Sequence, residues 1–465
     1  MSTPYYRMQA AEIAAGVKTK QFSAVEIVQA CIDRIDTVGQ KLNAFTRVTR
    51  ERALAEAAEL DAALARGEDV GPLAGVPFAV KNLFDLKGEV TVAGSKINRD
   101  NDPAESDATA VQRLTQAGAI CVGALNMGEY AYDFVTENAH DGATLNPWDL
   151  GHSAGGSSGG SGAATAGGLV PITLGTDTNG SIRVPSSFCG IWGIRPTYGR
   201  LSRGGSFAFV DSIDTIGPFA RSVEDLAQAY DAMSGPDARD AACSELPETA
   251  FAQTLTSADT PFRIAKLGGY FAEGGDPKVH AAVDTVMAAL GVSESVEIPE
   301  PALARTSAFV ITCAEAGARH LDRVRSRAHD FDPNIRDRFI AGTMVPHAWV
   351  DKAQRFRTWW HGEVMKVFES VDILIAPATP LTASKLGQKT LSFNGEQLPL
   401  RPNIGLFTQP LSFAGLPILA APVHRDEQMP CAVQLVAAPH AEEKLFKLAR
   451  KLETMGVCTS PVASF

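Results

Sequence analysis

The sequence has no long hydrophobic run and no block of basic residues. Its 465 residues have a formal net charge of −11, and charged residues make up 20 % of the chain. A helix needs about 20 consecutive apolar residues to span a bilayer. Proteins that bind nucleic acid or anionic lipid usually carry clustered Lys and Arg. We therefore expect neither a membrane nor a nucleic acid among the partners.

The cysteines lack the spacing of a disulfide framework. Seven of them are scattered along the chain without any Cys-x-x-Cys pair, and their number is odd. Small secreted proteins and zinc sites use closely spaced, paired cysteines instead. Residues 1–20 also lack the apolar core of a secretory signal. The sequence thus predicts reduced, mostly buried cysteines and a cytoplasmic protein.

Helical and strand patterns alternate over the first third of the chain. Ser23 and Glu26 form a capping box ahead of apolar residues at helical spacing. Nearly unbroken apolar strands between helices indicate a sheet covered on both faces, hence an α/β protein. The segments concerned are predicted helices at 51–65 and 109–118 and from Asn126 onward, and predicted strands at 73–80 and 120–123.

The most unusual stretch is glycine-rich and extends from Gly155 to Arg183. It begins Gly-Gly-Ser-Ser-Gly-Gly-Ser-Gly, continues through small and then apolar residues, and ends Gly-Thr-Asp-Thr-Asn-Gly-Ser-Ile-Arg. Two serines, Ser157 and Ser181, thus stand in glycine-rich turns on either side of a helix and a strand. Glycine lets a backbone turn sharply and present its N–H groups to a substrate atom, as an oxyanion hole requires.

Other interpretations of this stretch are weaker. A flexible linker would not be bounded by apolar segments of core character, and a phosphate loop would need Gly-Lys-Ser/Thr. The pattern Gly-x-Ser-x-Gly around Ser157 also fits a nucleophile elbow, which must directly follow a buried strand. Residues 146–152 precede it here, and their composition predicts a loop.

These motifs resemble those of the amidase signature family. The resemblance includes Val80-Lys81-Asn82 upstream and the separation of 24 residues between Ser157 and Ser181. It implies the amidase signature fold, an α/β architecture with a large mixed sheet between helical layers, without metal or organic cofactor. It also implies one domain over 1–465, with N-terminal helices at 1–70, the core at 71–225, a variable substrate region at 262–370 and a return to the core at 371–465.

The resemblance assigns Lys81 as general base, Ser157 as bridging serine and Ser181 as nucleophile. A serine hydroxyl needs a base to take its proton, and none of the nine histidines lies in a motif with Ser181. A lysine can serve only when neutral, and burial at the end of an apolar strand would lower its pKa. Asp85 is close to Lys81 in the sequence, which does not tell whether its carboxylate points toward the lysine.

Backbone N–H groups around Ser181 are the expected oxyanion donors, and three further residues are expected to support the loop. The donors are Thr178, Asn179, Gly180 and Ser181, although the family more often has glycine at 179; Asn tolerates left-handed backbone angles better than most residues. The expected supporting residues are Ser158, Asp177 and Arg183, with Asp177 and Arg183 as an internal ion pair.

Within the family, the segments 80–85, 93–99, 181–185 and 353–357 look most like the 1-carboxybiuret hydrolase branch of s-triazine breakdown. That implies hydrolysis of a C–N bond in a small ureido acid through an acyl-enzyme, with release of ammonia. The alternatives are a broad small-molecule amidase and the A subunit of a glutamine-dependent tRNA amidotransferase. Such A subunits hold the glutamine amino group with an aspartate where this chain has Gly405.

The resemblance also implies partners and a substrate-binding cation. Carboxybiuret hydrolases and amidotransferases work with a small helical subunit, similar to the C subunit of the latter, so we expect a partner of this kind and a homodimer of the large chain. The alternative is that this chain stands alone, since nothing in its composition demands a partner. An anionic amide substrate needs a fixed cation, for which arginine is well suited. The region 309–357 is rich in arginine. We expect at least one of these to face Ser181, with Arg325 as the first candidate.

Overall fold

The computed structural model describes residues 4–255, 261–424 and 429–465. Eleven strands of this part of the chain form one mixed sheet. The order of its strands is β1-β3-β2-β8-β10-β9-β16-β17-β13-β11-β12, and three two-stranded sheets join β4 to β5, β6 to β7 and β14 to β15. The strands are β1 Phe45–Val48, β2 Pro77–Lys81, β3 Ile120–Leu125, β4 Glu137–Asn138, β5 Gly142–Ala143, β6 Leu145–Asn146, β7 Asp149–Ser153, β8 Ile172–Asp177, β9 Trp192–Arg195, β10 Thr215–Ala220, β11 Ile264–Leu267, β12 Ser295–Val296, β13 Ile373–Pro377, β14 Thr390–Phe393, β15 Glu396–Pro399, β16 Ile418–Val423 and β17 Cys431–Ala437.

Helices pack against this sheet, which confirms the predicted α/β class. None of the described helices combines the length and hydropathy needed to cross a bilayer. The helices are α1 Ala10–Lys18, α2 Ala24–Thr37, α3 Arg50–Ala65, α4 Thr109–Gln116, α5 Gly159–Ala166, α6 Arg183–Cys189, α7 Val223–Met233, α8 Phe251–Thr254, α9 Pro277–Leu290, α10 Pro301–Arg319, α11 Leu321–Arg327, α12 Arg336–Gly342, α13 His347–Ser370, α14 Leu400–Asn403, α15 Gln409–Phe413 and α16 Glu442–Thr454.

The predicted capping box begins α2 as expected. Ser23 Oγ accepts a hydrogen bond from the Glu26 N–H at 3.0 Å, and the Glu26 carboxylate accepts one from the Ser23 N–H at 2.7 Å. Two of the otherwise unpaired N–H groups at the helix start are thereby satisfied. The apolar face that follows is buried, so α2 forms part of the N-terminal helical layer.

Strands β2 and β8 lie side by side and parallel, with Val80 opposite Leu174. Every residue of both strands is buried. Because parallel strands end at the same edge of the sheet, the chain delivers Lys81 and the end of β8 to one place. Ligands of open α/β sheets bind at such strand ends.

Helix α5 is built from small residues because it approaches other backbone segments closely. A Cβ atom on Gly160 would lie 2.5 Å from the Asn126 carbonyl oxygen and 2.6 Å from that of Ala44. Only glycine fits there. The glycine-rich composition that could suggest a linker therefore serves close packing, and α5 is fully buried.

The structure differs from the sequence prediction in two segments near this edge. No α-helix begins at Asn126; a single 3₁₀ turn spans Glu129–Ala131, with Tyr130 and Ala131 at φ angles of 49° and 62°. The segment 146–152, predicted as a loop, instead includes most of strand β7, Asp149–Ser153. This strand pairs with β6 outside the main sheet, so it is not the buried strand that a nucleophile elbow requires.

Candidate active site

Lys81 ends strand β2 and is completely buried. Its Nζ atom lies 2.7 Å from Ser157 Oγ and 2.8 Å from Thr176 Oγ1. Both neighbours are hydroxyl groups, and within the described residues Lys81 forms no salt bridge. The sequence motif pointed to Ser157, whereas the contact with Thr176 follows from the pairing of β2 with β8.

Burial lowers the pKa of the Lys81 ammonium group to about 7, from an ordinary value of 10.5. Removing a charged group from water disfavours its charged form. Asp214 and Asp177 act in the opposite direction and raise this pKa, but they do not outweigh burial. Near neutral pH, a substantial fraction of Lys81 therefore carries a lone pair that can accept a proton.

The two adjacent serines before α5 have different surroundings. The Ser157 hydroxyl oxygen accepts a hydrogen bond from Lys81 Nζ, and the Ser157 carbonyl oxygen accepts one from the Gly128 N–H at 3.1 Å. The peptide bond from Gly156 to Ser157 is cis. Ser158 instead donates to the Thr176 carbonyl oxygen at 3.2 Å. It thus ties the start of α5 to β8.

Asp177, at the end of β8, organises the loop that carries Ser181. Its carboxylate accepts hydrogen bonds from the N–H groups of Gly180 at 2.8 Å and Ile182 at 3.1 Å. Arg183 contacts both carboxylate oxygens, at 2.9 and 3.0 Å, which matches the expected ion pair. Arg195, which the sequence did not single out, adds a second buried guanidinium at 3.3 Å.

These contacts keep Asp177 ionised inside the protein. Burial alone would raise the pKa of its carboxyl group, but the positive charges of Arg183 and Arg195 outweigh burial and hold the pKa well below its ordinary value. Arg183 also donates to Gln434 Oε1 at 2.6 Å and to the Ser412 hydroxyl. The loop before Ser181 is therefore cross-linked to distant strands and helices.

The geometry changes the expected set of oxyanion donors. The Gly180 N–H points at Asp177 Oδ1, so it is not free to donate to a substrate oxygen. Within the described residues, the N–H groups of Thr178, Asn179 and Ser181 have no protein acceptor. These three remain the candidate donors.

Ser181 lines a narrow cleft and is 3 % exposed. Among the described residues no hydrogen bond joins its hydroxyl to Ser157, whereas Ser157 is bonded directly to Lys81. Apolar and aromatic side chains form much of the wall, and its polar residues are Asp133, Thr178, Asn179, Ser181, Thr312, Arg338 and Gln409. The lining residues are Ala131, Tyr132, Asp133, Phe134, Thr178, Asn179, Ser181, Phe209, Phe309, Thr312, Arg338, Pro402 and Gln409.

The expectation that Arg325 faces this cleft is wrong. Arg325 is solvent-exposed on α11 and does not line the cleft. Arg338, on α12, does line it together with Ser181. Arg338 donates to the Tyr132 carbonyl oxygen at 3.2 Å, and its guanidinium lies 5.6 Å from the centre of the Tyr132 ring.

Arg338 is the cleft cation that lacks a salt bridge in the described chain. The other guanidinium nearby, Arg401, is paired with Asp133 and with Glu137. Arg338 also lowers the pKa of Asp133, which burial raises to about 6. Sequence spacing alone did not separate Arg338 from its neighbours, because the choice depends on how α12 packs.

The chain matches one family model and several known proteins. The Amidase family model matches residues 26–446. The chain is 50 % identical to AtzE, a 1-carboxybiuret hydrolase component of Pseudomonas sp. (strain ADP), over 97 % of this chain and 99 % of that protein. It is 38 % identical to the A subunit of the glutamyl-tRNA(Gln) amidotransferase of Carboxydothermus hydrogenoformans (strain ATCC BAA-161 / DSM 6008 / Z-2901), over 96 % and 97 % of the two chains.

Two solved structures are similar to this chain over nearly its whole length. One, from a vestigial protein complex that bears on the origins of an s-triazine catabolic enzyme, has a TM-score of 0.96 and 50 % identity, covering 97 % of this chain and 100 % of that one. A bacterial aryl acylamidase of the amidase signature family has a TM-score of 0.89 and 26 % identity, with 97 % of each chain covered. This chain therefore belongs to the amidase family and is an amide-cleaving hydrolase with the amidase signature fold.

Proposed function

We propose that this hydrolase cleaves the terminal C–N bond of a small ureido acid, 1-carboxybiuret, and releases ammonia. The observation that carries the chemistry is the buried contact of 2.7 Å between Lys81 Nζ and Ser157 Oγ next to the Ser181 cleft. A neutral amine bonded to a hydroxyl group, beside a second serine, is the arrangement needed to activate a serine nucleophile.

In the proposed reaction, Ser181 Oγ attacks the terminal carbamoyl carbon of the substrate. Its proton passes through the Ser157 hydroxyl to neutral Lys81, while the N–H groups of Thr178, Asn179 and Ser181 stabilise the oxyanion. The proton then returns to the departing nitrogen, which leaves as ammonia, and an acyl group remains on Ser181. Water attacks this acyl-enzyme, so the carbamoyl group ends as a carboxylate and the serine is restored.

The position of Arg338 in the cleft supports the proposal that the substrate is an anion. The cleft is largely apolar apart from a few polar groups, and Arg338 is the cation there without a salt bridge among described residues. A guanidinium matches the two oxygens of a carboxylate. We therefore assign the carboxylate end of carboxybiuret to Arg338, with the opposite carbamoyl end at Ser181.

A feature at Gly405 speaks against the amidotransferase alternative. A Cβ atom at this position would lie 2.4 Å from the Phe134 ring. The aspartate of the amidotransferases could therefore not be accommodated here without displacing Phe134, which lines the cleft. Position 405 therefore offers no carboxylate to the amino group of glutamine, whereas carboxybiuret has no such group to bind.

The first prediction concerns the three proposed catalytic residues. Ser181→Ala, Ser157→Ala and Lys81→Ala should each lower kcat by several orders of magnitude, with circular dichroism and melting temperature showing that the fold is kept. Because the three act as one unit, double variants should be hardly worse than single ones. Ammonia release is the measurement. Substantial activity in Ser181→Ala that is lost on further change of Ser157 would make Ser157 the nucleophile.

The second prediction concerns Arg338. Arg338→Met should weaken transition-state binding of carboxybiuret by about 2 to 5 kcal/mol, the range seen when one partner of a buried, hydrogen-bonded charge pair is removed. Hydrolysis of the uncharged analogue biuret should be no worse. Arg325→Met, a change of the same kind at an exposed position of the same region, serves as control and should alter neither substrate. An equal loss on both substrates in Arg338→Met would contradict the assignment.

The third prediction concerns assembly. We propose that the large chain self-associates and binds a small helical protein, since a relative of high structural similarity comes from a protein complex and the A subunits are named as parts of larger enzymes. Purification from the native host, followed by native mass spectrometry, should give a complex heavier than twice 49.3 kDa. A chain of 49.3 kDa that stays monomeric and fully active at every concentration tested would contradict this proposal.

A further inference from the structure

Two side-chain carboxamides, Asn179 and Gln409, stand in the wall of the Ser181 cleft. They come from opposite parts of the chain, the loop after β8 and the start of α15. Both are nearly buried, with exposures of 7 % and 3 %. A buried amide that is not fully hydrogen-bonded costs about 1 to 3 kcal/mol for each unsatisfied group. Their remaining hydrogen-bonding capacity therefore indicates what the cleft binds.

The orientation of the Gln409 amide is fixed by Arg305. Arg305 Nε donates to Gln409 Oε1 at 2.9 Å. Its Nη2 atom donates to the Pro402 carbonyl oxygen at 2.8 Å and to Asn403 Oδ1 at 2.9 Å. A guanidinium has only donors, so the amide oxygen must face Arg305 and the NH2 group must face away from it. Within the described chain, Gln409 Nε2 has no acceptor, which leaves a donor for a ligand.

Asn179 presents the complementary group. Its Nδ2 atom donates to Thr312 Oγ1 at 2.9 Å, and its carbonyl oxygen on the main chain accepts from Thr408 Oγ1 at 2.6 Å. The side-chain oxygen Oδ1 is buried and has no donor among the described residues. The two carboxamides thus offer the cleft one unused N–H donor and one unused oxygen acceptor, in addition to the backbone N–H groups named above and the Arg338 cation.

We infer that Gln409 and Asn179 bind the interior ureido group of the substrate and make the enzyme selective for it, with Arg305 as the residue that positions Gln409. Gln409 Nε2 donates to the interior carbonyl oxygen, and Asn179 Oδ1 accepts an interior N–H. An alkyl chain of the same length offers neither group and leaves both amides unsatisfied. This inference rests on the proposed function and adds to it how the middle of the substrate is recognised.

A matched pair of substrates isolates this contribution. Glutaramate has a carboxylate, a terminal amide and the same number of chain atoms as carboxybiuret, but methylene groups replace its interior ureido atoms. Both are anionic, so Arg338 acts on both. The ratio of the two kcat/KM values therefore reports recognition of the interior, free of effects on the nucleophile or the carboxylate.

The experiment compares this ratio in the wild type with that in three variants. Gln409→Glu keeps an oxygen for Arg305 and the same shape but removes the donor; Gln409→Leu removes both, and Arg305→Met removes the positioning contact. Each should reduce the preference for carboxybiuret by about tenfold, as expected for one lost hydrogen bond of roughly 1.4 kcal/mol. Melting temperatures identify any variant that is merely unstable, and the double variant of Gln409→Leu with Arg305→Met should shift the ratio no further than either single change.

Asn179 is tested in the same way with Asn179→Asp, which keeps the oxygen acceptor, and Asn179→Leu, which removes it. The aspartate variant should retain the preference for the ureido interior and the leucine variant should lose it. A wild-type enzyme that hydrolyses carboxybiuret, but whose ratio is the same in every Gln409 and Arg305 variant, would overturn this inference and leave the proposed function intact. A wild-type enzyme that hydrolyses glutaramate and not carboxybiuret would overturn both.

Discussion

The burial of Lys81 without a contacting carboxylate is the constraint on which the site depends. An ammonium group in a fully buried place is unfavourable, so the pKa of Lys81 falls to about 7 and the neutral amine becomes available. Asp214 and Asp177 raise the pKa of Lys81, but burial outweighs their effect. Asp177 is paired with two arginines, and Asp214 accepts a hydrogen bond from Thr178 at 2.5 Å. The sheet supplies this environment, since Lys81 lies at the end of a fully buried strand next to another. An acidic side chain in contact with Lys81 would raise its pKa and favour the charged form.

Asp177, which raises the pKa of Lys81, also shapes the loop that carries Ser181. Asp177 binds the N–H groups of Gly180 and Ile182, which curves the chain between them around one carboxylate. Arg183 and Arg195 compensate the charge and attach the loop to the rest of the molecule. A buried ion pair of this kind contributes little net stability by itself. Its effect is to hold the loop that carries Ser181 in one conformation.

Part of this site could be predicted from sequence because its residues lie in short contiguous motifs. The places of Lys81 and Ser157 at the end of β2 and before α5 followed from strand and turn patterns. The choice of Arg338 over Arg325 could not be made, because it depends on which face of each helix meets the cleft after α10 to α13 have packed. The turn at Tyr130 was also predicted wrongly, since tertiary contacts there override the helical pattern and hold a left-handed backbone angle.

The central claim is that Lys81 is a neutral base at physiological pH, and the pH dependence of kcat/KM tests this most directly. An uncharged amide such as biuret is the suitable substrate, since it does not titrate in the range of interest. Protonated Lys81 cannot accept a proton, so kcat/KM should increase about tenfold per pH unit below about 7 and level off above it, reporting the pKa of the free enzyme. A profile that is flat from about pH 5 to 9, or one whose inflection lies near the ordinary lysine value of 10.5, would contradict this claim.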